Sequence, residues 1–479
     1  MDTFDVLIIG AGLSGIGAAW RLQQHCPDQR YAVLEARAEL GGTWDLFRYP
    51  GIRSDSDMFT LSYPFRPWQG GASIADGASI AQYLRDTARA GGIERHIRFN
   101  QRVLAAAWDS AQALWTLQVD IEGVPCQYQC RFLYLCCGYY DYAQGYRPAF
   151  PDQACFAGRW VHPQQWPQDL DWRDRRVVVI GSGATAVTLV PALAETARQV
   201  TLLQRSPSYV LALPARDPLA NALRRCLPPQ LAGSLARWKN ALAGLALFQV
   251  CRRLPGLSRK LLRQRAAAAL PVGYAVDTHF NPRYAPWDQR LCIVPDGDLF
   301  RAIASGKAQV VTDTIASIET DGLRLTSGGH LAADIIVTAT GLTLQACGGM
   351  ALSVDGQAVD LGQRVAYEGL LLEGVPNLAF CVGYTNASWT LRADLSSRQV
   401  CRLLNHMRRH GYRQCRPRLD GPAGARRPLL DLHAGYVLRA LDGLPKQGAR
   451  APWLLRQNYA LDYLRFRLGR VKHPALEFS

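Results

Sequence analysis

Two glycine clusters carry the first chemistry legible in this chain. Gly10-Ala-Gly12-Leu-Ser-Gly15 follows FDVLIIG, a Val/Ile-rich apolar run that reads as a buried parallel strand, and precedes IGAAWRLQQ, which has helical composition. The pattern G-x-G-x-x-G is weak alone, but between a strand and a helix it is a dinucleotide-binding fingerprint. Gly10 permits the tight turn, Gly12 lets backbone approach a pyrophosphate, and Gly15 lets helix and strand pack closely. The helix start then offers free N–H groups to phosphate oxygens. The next strand, YAVLEA, reaches Glu35 twenty residues after Gly15. A carboxylate there accepts hydrogen bonds from ribose hydroxyls and repels a 2′-phosphate, so the first site reads as one for FAD or NAD.

The pattern recurs downstream with the opposite signal. RVVVI leads into Gly181-Ser182-Gly183-Ala184-Thr185-Ala186 and the helical segment VTLVPALAETA. The following strand, QVTLLQ, ends at Arg205-Ser206 instead of an acid. An arginine at a strand end is usually only solvated, but in this context it suits the 2′-phosphate of NADPH. One FAD-like and one NADP-like site in a single chain imply hydride transfer from NADPH to a flavin.

The elements around these motifs fix the class. A length of 479 residues suggests two or three domains, and no run of about 18 apolar residues marks a membrane span. The first residues carry acids and enter a strand directly, without the basic and cleavage regions of a secretory signal, which implies a cytoplasmic protein. Thirteen cysteines, an odd number without a C-x-x-C, read as reduced thiols, and no ligand spacing suggests a metal. The net charge of +15 comes without any nucleic-acid-binding motif, so nucleic acid is not expected as a partner. Much of that charge falls between Leu219 and Leu270, an Ala/Leu-rich helical stretch with prolines at 228, 229 and 255 marking turns. A solvated helical face and peripheral contact with an anionic membrane both fit it. Low-complexity sequence is confined to Ala267-Ala268-Ala269 and the basic tract around Arg416–Arg427.

Two further motifs narrow the reaction. Gly41-Gly42-Thr43-Trp44 continues through DLFRYPGIRSD to Asp55, and Phe156, Gly158, His162, Trp166 and Pro167 form the pattern F-x-G-x-x-x-H-x-x-x-W-P before the second glycine unit. With these, the chain resembles the Baeyer–Villiger flavin monooxygenases over almost its whole length, from near residue 4 to about 460. Phrases such as VVIGSGATAVTLVPALA, PWDQRLC, VGYTNASWTL and LPKQG carry the likeness further.

The resemblance implies that FAD and NADPH are the cofactors and that one atom of O₂ is inserted beside a ketone carbonyl through a C4a-peroxyflavin. It implies sulfide or thioamide S-oxygenation by the same intermediate when protonated. Asp55 and Arg290 match the family's paired active-site acid and arginine, with Arg290 able to stabilise an anionic flavin adduct or to hold the nicotinamide amide. Gly41-Gly42 would let backbone pass close to the flavin, and Trp44 would wall it or simply pack in the core. His162 fits a hinge that couples NADPH binding to domain movement better than it fits acid–base chemistry. Gln289 departs from relatives that carry Lys before the arginine, which leaves more of the NADPH selectivity to Arg205 and Ser206.

The expected architecture is α/β, with two Rossmann-like dinucleotide-binding domains and a helical insertion. Residues 1–145 and 341–479 would bind FAD, 155–212 and 287–340 would bind NADPH, and 213–286 would be the insertion. In the first unit the cofactor-binding set comprises Gly10, Gly12, Ser14, Gly15, Glu35, Gly42, Thr43, Trp44, Arg53, Ser54, Asp55 and Val103. In the second it comprises Gly181, Ser182, Gly183, Ala184, Thr185, Ala186, Arg205 and Ser206. Two rivals share the fold. An N- or S-oxidising flavin monooxygenase lacks the signature ending in Trp166-Pro167. A pyridine-nucleotide disulfide oxidoreductase needs a redox cysteine pair beside the first glycine unit, which is missing.

Overall fold

A computed structural model of the chain describes residues 2–419 and 426–479. Part of the basic tract around Arg416–Arg427, residues 420–425, lies outside them. Two sheets organise the molecule. In the first, Asp2–Ile9 runs parallel between Tyr31–Leu34 and Val124–Leu135, in the register Leu7↔Ala32 and Leu7↔Leu133. Ile97–Arg98 adds to the outer side of Tyr31–Leu34. Buried on both faces, these strands carry the unbroken apolar runs that parallel strands need. The long strand Val124–Leu135 then leaves the parallel pattern. Its first half pairs antiparallel with Leu114–Ile121, which pairs with Gln101–Asp109. Its last residues pair in parallel with Leu378–Phe380, so sequence far downstream completes the sheet that the N-terminus begins.

The second sheet has five parallel strands in the order Ala308–Thr312, Gln199–Gln204, Arg176–Ile180, Ile335–Thr338, Arg159–Val161. The apolar stretch after residue 308 is not one strand. It breaks at Asp313, whose carboxylate accepts the Thr314 and Ser327 N–H groups, and Ile315–Glu319 joins a small antiparallel sheet instead.

Two segments carry the chain between the sheets. Tyr140–Gly145 leaves the first and Leu342–Leu344 returns to it, and the two pair antiparallel. Thr340 Oγ1 donates to the Tyr146 carbonyl at 2.8 Å beside them.

Between residues 218 and 268 three helices follow one another, Pro218–Cys226, Pro229–Arg253 and Pro255–Ala268. Each opens on a proline, which tolerates the first helical turn because its missing N–H would have no partner there. Helix Trp389–His410 packs on helix Leu13–His25, where buried Arg21 and Asp394 pair at 2.7 Å. No helix among the described residues is long and apolar enough to cross a membrane.

Candidate active site

The first glycine loop is built by close approach. Gly10 has φ +100°, and a Cβ there would lie 2.8 Å from the Cys136 carbonyl oxygen; one on Gly15 would lie 1.8 Å from the Gly10 carbonyl oxygen. Strand, turn and helix are therefore locked together, and helix Leu13–His25 starts with its N-terminus on the loop. Glu35 stands just past strand Tyr31–Leu34, with Oε2 accepting the Ala11 N–H at 2.7 Å and Oε1 the Arg37 N–H at 3.0 Å. Burial pushes the Glu35 carboxyl above its usual range, against those two hydrogen bonds. Gly42, at φ +57°, brings its backbone within reach of Gly12, so a Cβ would stand 3.1 Å from the Gly12 Cα.

The second loop repeats the device. Gly181 has φ +142°, and a Cβ there would meet the Ala339 carbonyl oxygen at 2.3 Å. Helix Ala184–Leu193 begins immediately after Gly183. Arg205 and Ser206 follow strand Gln199–Gln204 and are exposed. The Arg205 side chain has no ion pair or hydrogen bond among the described residues, which leaves its guanidinium free for an anion.

Both loops open into one cavity of ≈1170 Å³. It is lined by Gly10, Gly12, Ser14, Glu35, Gly42, Thr43, Trp44, Arg53, Ser54, Asp55 and Val103 from the first unit. Gly181, Ser182, Gly183, Ala184, Thr185, Arg205 and Ser206 line it from the second. Gly15 and Ala186 stand behind the loops, where they set the packing of helix on strand. Arg53 reaches the cavity with its guanidinium already spent on Asp298, a bond that ties the segment after Gly41-Gly42 to helix Asp298–Ala304. The residues fit two dinucleotides: two tight glycine turns at helix starts, a carboxylate after one strand and a free guanidinium after the other.

Asp55 and Arg290 meet in this cavity, with Oδ2 and Nη1 3.5 Å apart. Burial disfavours the charge on Arg290, but the oxygens of Tyr139, Asp55, Tyr436 and Tyr140 more than offset it and raise its pKa. Arg290 Nε is buried without a hydrogen-bond partner among the described residues, so donor capacity remains. Tyr139 and Tyr140 touch through their hydroxyls at 3.2 Å, and Tyr139 packs on Trp389, whose indole N–H donates to Ser14 Oγ at 2.7 Å. Sequence reasoning missed these three tyrosines. Tyr139 and Tyr140 follow the C-terminal end of a parallel strand, where ligands of such sheets bind, and that was a usable signal. Nothing local marks Tyr436.

Phe156, Gly158, His162, Trp166 and Pro167 do not line the cavity. Phe156 and Trp160 pack edge to face, and a Cβ on Gly158 would lie 2.4 Å from the Asp334 carbonyl oxygen. His162 is buried against Gly145, on the outgoing crossing segment. Its Nδ1 accepts the Gln164 N–H at 3.2 Å, and burial holds its pKa below the usual histidine value.

Two nucleotide-fitting loops that share one cavity with an arginine–aspartate pair define a two-cofactor oxidoreductase. Comparison with known proteins carries this further. Residues 63–217 match the family model described as flavin-binding monooxygenase-like, and residues 8–87 match an NAD(P)-binding Rossmann-like domain. The chain is 52% identical to the FAD-containing monooxygenase EthA of Mycobacterium tuberculosis, over 100% of this chain and 98% of that protein. It is 50% identical to the putative FAD-containing monooxygenase MymA of the same organism, over 96% of this chain and 94% of that one. The probable FAD-binding monooxygenase AlmA of Acinetobacter baylyi is 43% identical over 99% and 96%. Among solved structures, an oxidized steroid monooxygenase bound to NADP superposes with a TM-score of 0.78 at 20% identity, covering 99% of both chains. An open cyclohexanone monooxygenase gives 0.76 at 18% identity, over the full length of both. The chain belongs to the FAD-containing monooxygenases. It is a flavoprotein with the doubly Rossmann-like α/β fold, and FAD and NADPH as cofactors agree with every one of these likenesses. Its substrates are O₂ and a small molecule.

Proposed function

We propose that this enzyme is a Baeyer–Villiger monooxygenase, which inserts one oxygen atom of O₂ beside a ketone carbonyl and also oxygenates sulfide or thioamide sulfur. The observation that carries the reading is the Asp55–Arg290 pair at 3.5 Å in the cavity that both glycine loops share. Bound FAD would supply the oxygen activation and NADPH the hydride. The chain's own residues position and polarise. Gly10, Gly12 and Ser14 would hold the flavin nucleotide's pyrophosphate, Glu35 its ribose, and Gly42, Thr43 and Trp44 would close over it. Gly181 to Thr185 would cradle the second pyrophosphate, with Arg205 and Ser206 on its 2′-phosphate. Arg290 keeps its positive charge at the cavity, where a developing oxyanion would take it. Asp55 holds that guanidinium in place, and the aromatic wall of Tyr139, Tyr140 and Trp389 limits water. No side-chain nucleophile is required.

The same proposal divides the chain at the crossing segments. Residues 1–145 and 341–479 form the FAD unit, 155–212 and 287–340 the NADPH unit, and 213–286 an insertion. Phe156 to Pro167, packed against one crossing segment, then act as a hinge. We place the enzyme in the cytoplasm, where NADPH is supplied.

The test is NADPH-driven turnover under ¹⁸O₂ with a panel of cyclic ketones and sulfides, read by mass spectrometry. One ¹⁸O in an ester or lactone is expected. Arg290→Ala should retain bound FAD and lose at least about 10²-fold of product formation, the usual scale for deleting one oxyanion donor. Oxygenated sulfides or amines with no ester from any ketone would favour the N- or S-oxidising class instead.

A further inference from the structure

The surface outside the cavity is not uniform. Between Pro218 and Ala268 there are ten Lys or Arg and no Asp or Glu. Several of these bases are accounted for within the fold. Arg237 is buried against backbone carbonyls, Lys239 pairs with Asp217, and Arg263 pairs with Asp277. Arg225, Arg253, Lys260 and Arg265 are exposed, and their side chains have no ion pair or hydrogen bond among the described residues.

The same helices expose large apolar side chains. On helix Pro229–Arg253 and its C-cap, Leu231, Leu235, Leu242, Val250 and Leu254 are all exposed. Leu231, Leu235 and Leu242, at i, i+4 and i+11, share one stripe, and Val250 and Leu254, at i+19 and i+23, share a second that leads into the following turn. Helix Pro255–Ala268 continues it with Leu257 and Leu261, and Lys260 and Arg265 stand on the same exposed side. Leu254 and Leu257 remain 52% and 50% exposed at the turn between the helices. Next to helix Pro229–Arg253, helix Tyr459–Leu468 adds exposed Leu461, Leu464 and Leu468, at i, i+3 and i+7. Of the sixteen exposed large hydrophobics among the described residues, thirteen lie on or beside these helices, Val272 included. Isolated exposed leucines need no explanation, but a concentration of this kind marks a contact surface.

Charge decides what it contacts. A second copy of the chain would bring one acid-free basic face against another, and the repulsion would oppose the apolar gain. An anionic lipid leaflet presents the opposite sign, and its acyl boundary takes leucines while its headgroups take Lys and Arg. We infer that this helical face docks the enzyme on an anionic bilayer, with Leu254, Leu257 and Leu261 inserted at the headgroup boundary and Arg253, Lys260 and Arg265 on the phosphates. The docking is peripheral, since no helix among the described residues is long and apolar enough to span. It is independent of the proposed chemistry.

The experiment is flotation of the full-length FAD-loaded enzyme with vesicles at 0.15 M salt, comparing pure phosphatidylcholine with a 7:3 mixture of phosphatidylcholine and phosphatidylglycerol. Each basic residue at an anionic surface strengthens adsorption about five-fold. The triple substitution Arg253→Glu, Lys260→Glu, Arg265→Glu should therefore lower partitioning by at least about 10²-fold. Leu257→Gln with Leu261→Gln should lower it on the same vesicles with the charge kept. Both variants should retain FAD absorbance and NADPH oxidation in vesicle-free buffer, which shows that the fold is intact. Equal flotation with neutral and anionic vesicles, or anionic binding that the triple substitution leaves intact, overturns the inference. So does a concentration-dependent dimer that the leucine substitutions dissolve, because the face would then belong to a second copy.

Discussion

Arg205 shows how much a single side chain can be asked to do. It follows the last residue of a buried parallel strand, exposed, lining the cavity, with its guanidinium unpaired. Gln289, which also lines the cavity, is uncharged, so under the proposed function most of the electrostatic preference for a 2′-phosphate falls on Arg205. Replacing Arg205 with Ala should lower kcat/KM for NADPH by about 10–10²-fold, the worth of one charge-assisted contact. The value for NADH should barely move. Steady-state kinetics with both nucleotides measures this; an equal loss for both would assign Arg205 to folding. Such residues were legible in the sequence because their meaning is local: Glu35 and Arg205 are each read from one strand and one glycine turn. Tyr436 was illegible for the converse reason. Its relation to Arg290 is created only when the C-terminal third folds back over the cavity, and no local pattern encodes that return.

The elements were legible where periodicity and punctuation agree, as in the prolines that open the three helices between residues 218 and 268. They are not legible where a side chain competes with the ladder, as Asp313 does by capturing two backbone N–H groups just where strand Ala308–Thr312 ends. The crossing segments make a sharper case. Tyr140–Gly145 and Leu342–Leu344 pair with each other, and Arg439 stacks over the Tyr146 ring at 3.5 Å. His162 sits buried against Gly145 at this junction, with a pKa held below its usual value by burial. In the folded protein the imidazole stays neutral to lower pH than in the unfolded chain, so its contribution to stability is full above about pH 6.5. It is lost as pH falls from there through the folded pKa, because the unfolded chain binds the proton more readily. His162→Asn keeps an acceptor near Nδ1 for the Gln164 N–H and cannot be protonated. The melting temperature of the wild type should therefore fall more steeply than that of the variant between pH 6.5 and 5. Parallel curves would mean that His162 is not a titrating part of the junction.

At the scale of the whole molecule, the first sheet is finished by residues that arrive last, and something must hold the C-terminal third in place while two units share one cavity. A buried polar network does this. Arg392, on the helix Trp389–His410, is 1% exposed and donates to Asp462 Oδ2 at 2.6 Å, while Tyr384 donates to the same oxygen at 2.7 Å. Arg392 also reaches the Glu368 carbonyl, and Glu368 itself pairs with Arg465 at 2.7 Å. Asp462 and Arg465 both lie on helix Tyr459–Leu468, so one network fastens that helix to helix Trp389–His410 and to the chain at Glu368. No sequence pattern announces it, because an arginine and an aspartate seventy residues apart are individually unremarkable. Its cost structure makes a clear prediction. A buried ion pair contributes little net stability against an apolar pair of the same volume, but removing one partner strands a buried charge and costs about 3–5 kcal/mol. Asp462→Asn should therefore lower the urea midpoint strongly, followed by tryptophan fluorescence of the FAD-loaded enzyme. Adding Arg392→Leu to that variant should restore much of the loss, since the stranded charge is gone. If the double variant is no more stable than Asp462→Asn alone, the helix is held by its apolar contacts and not by this pair.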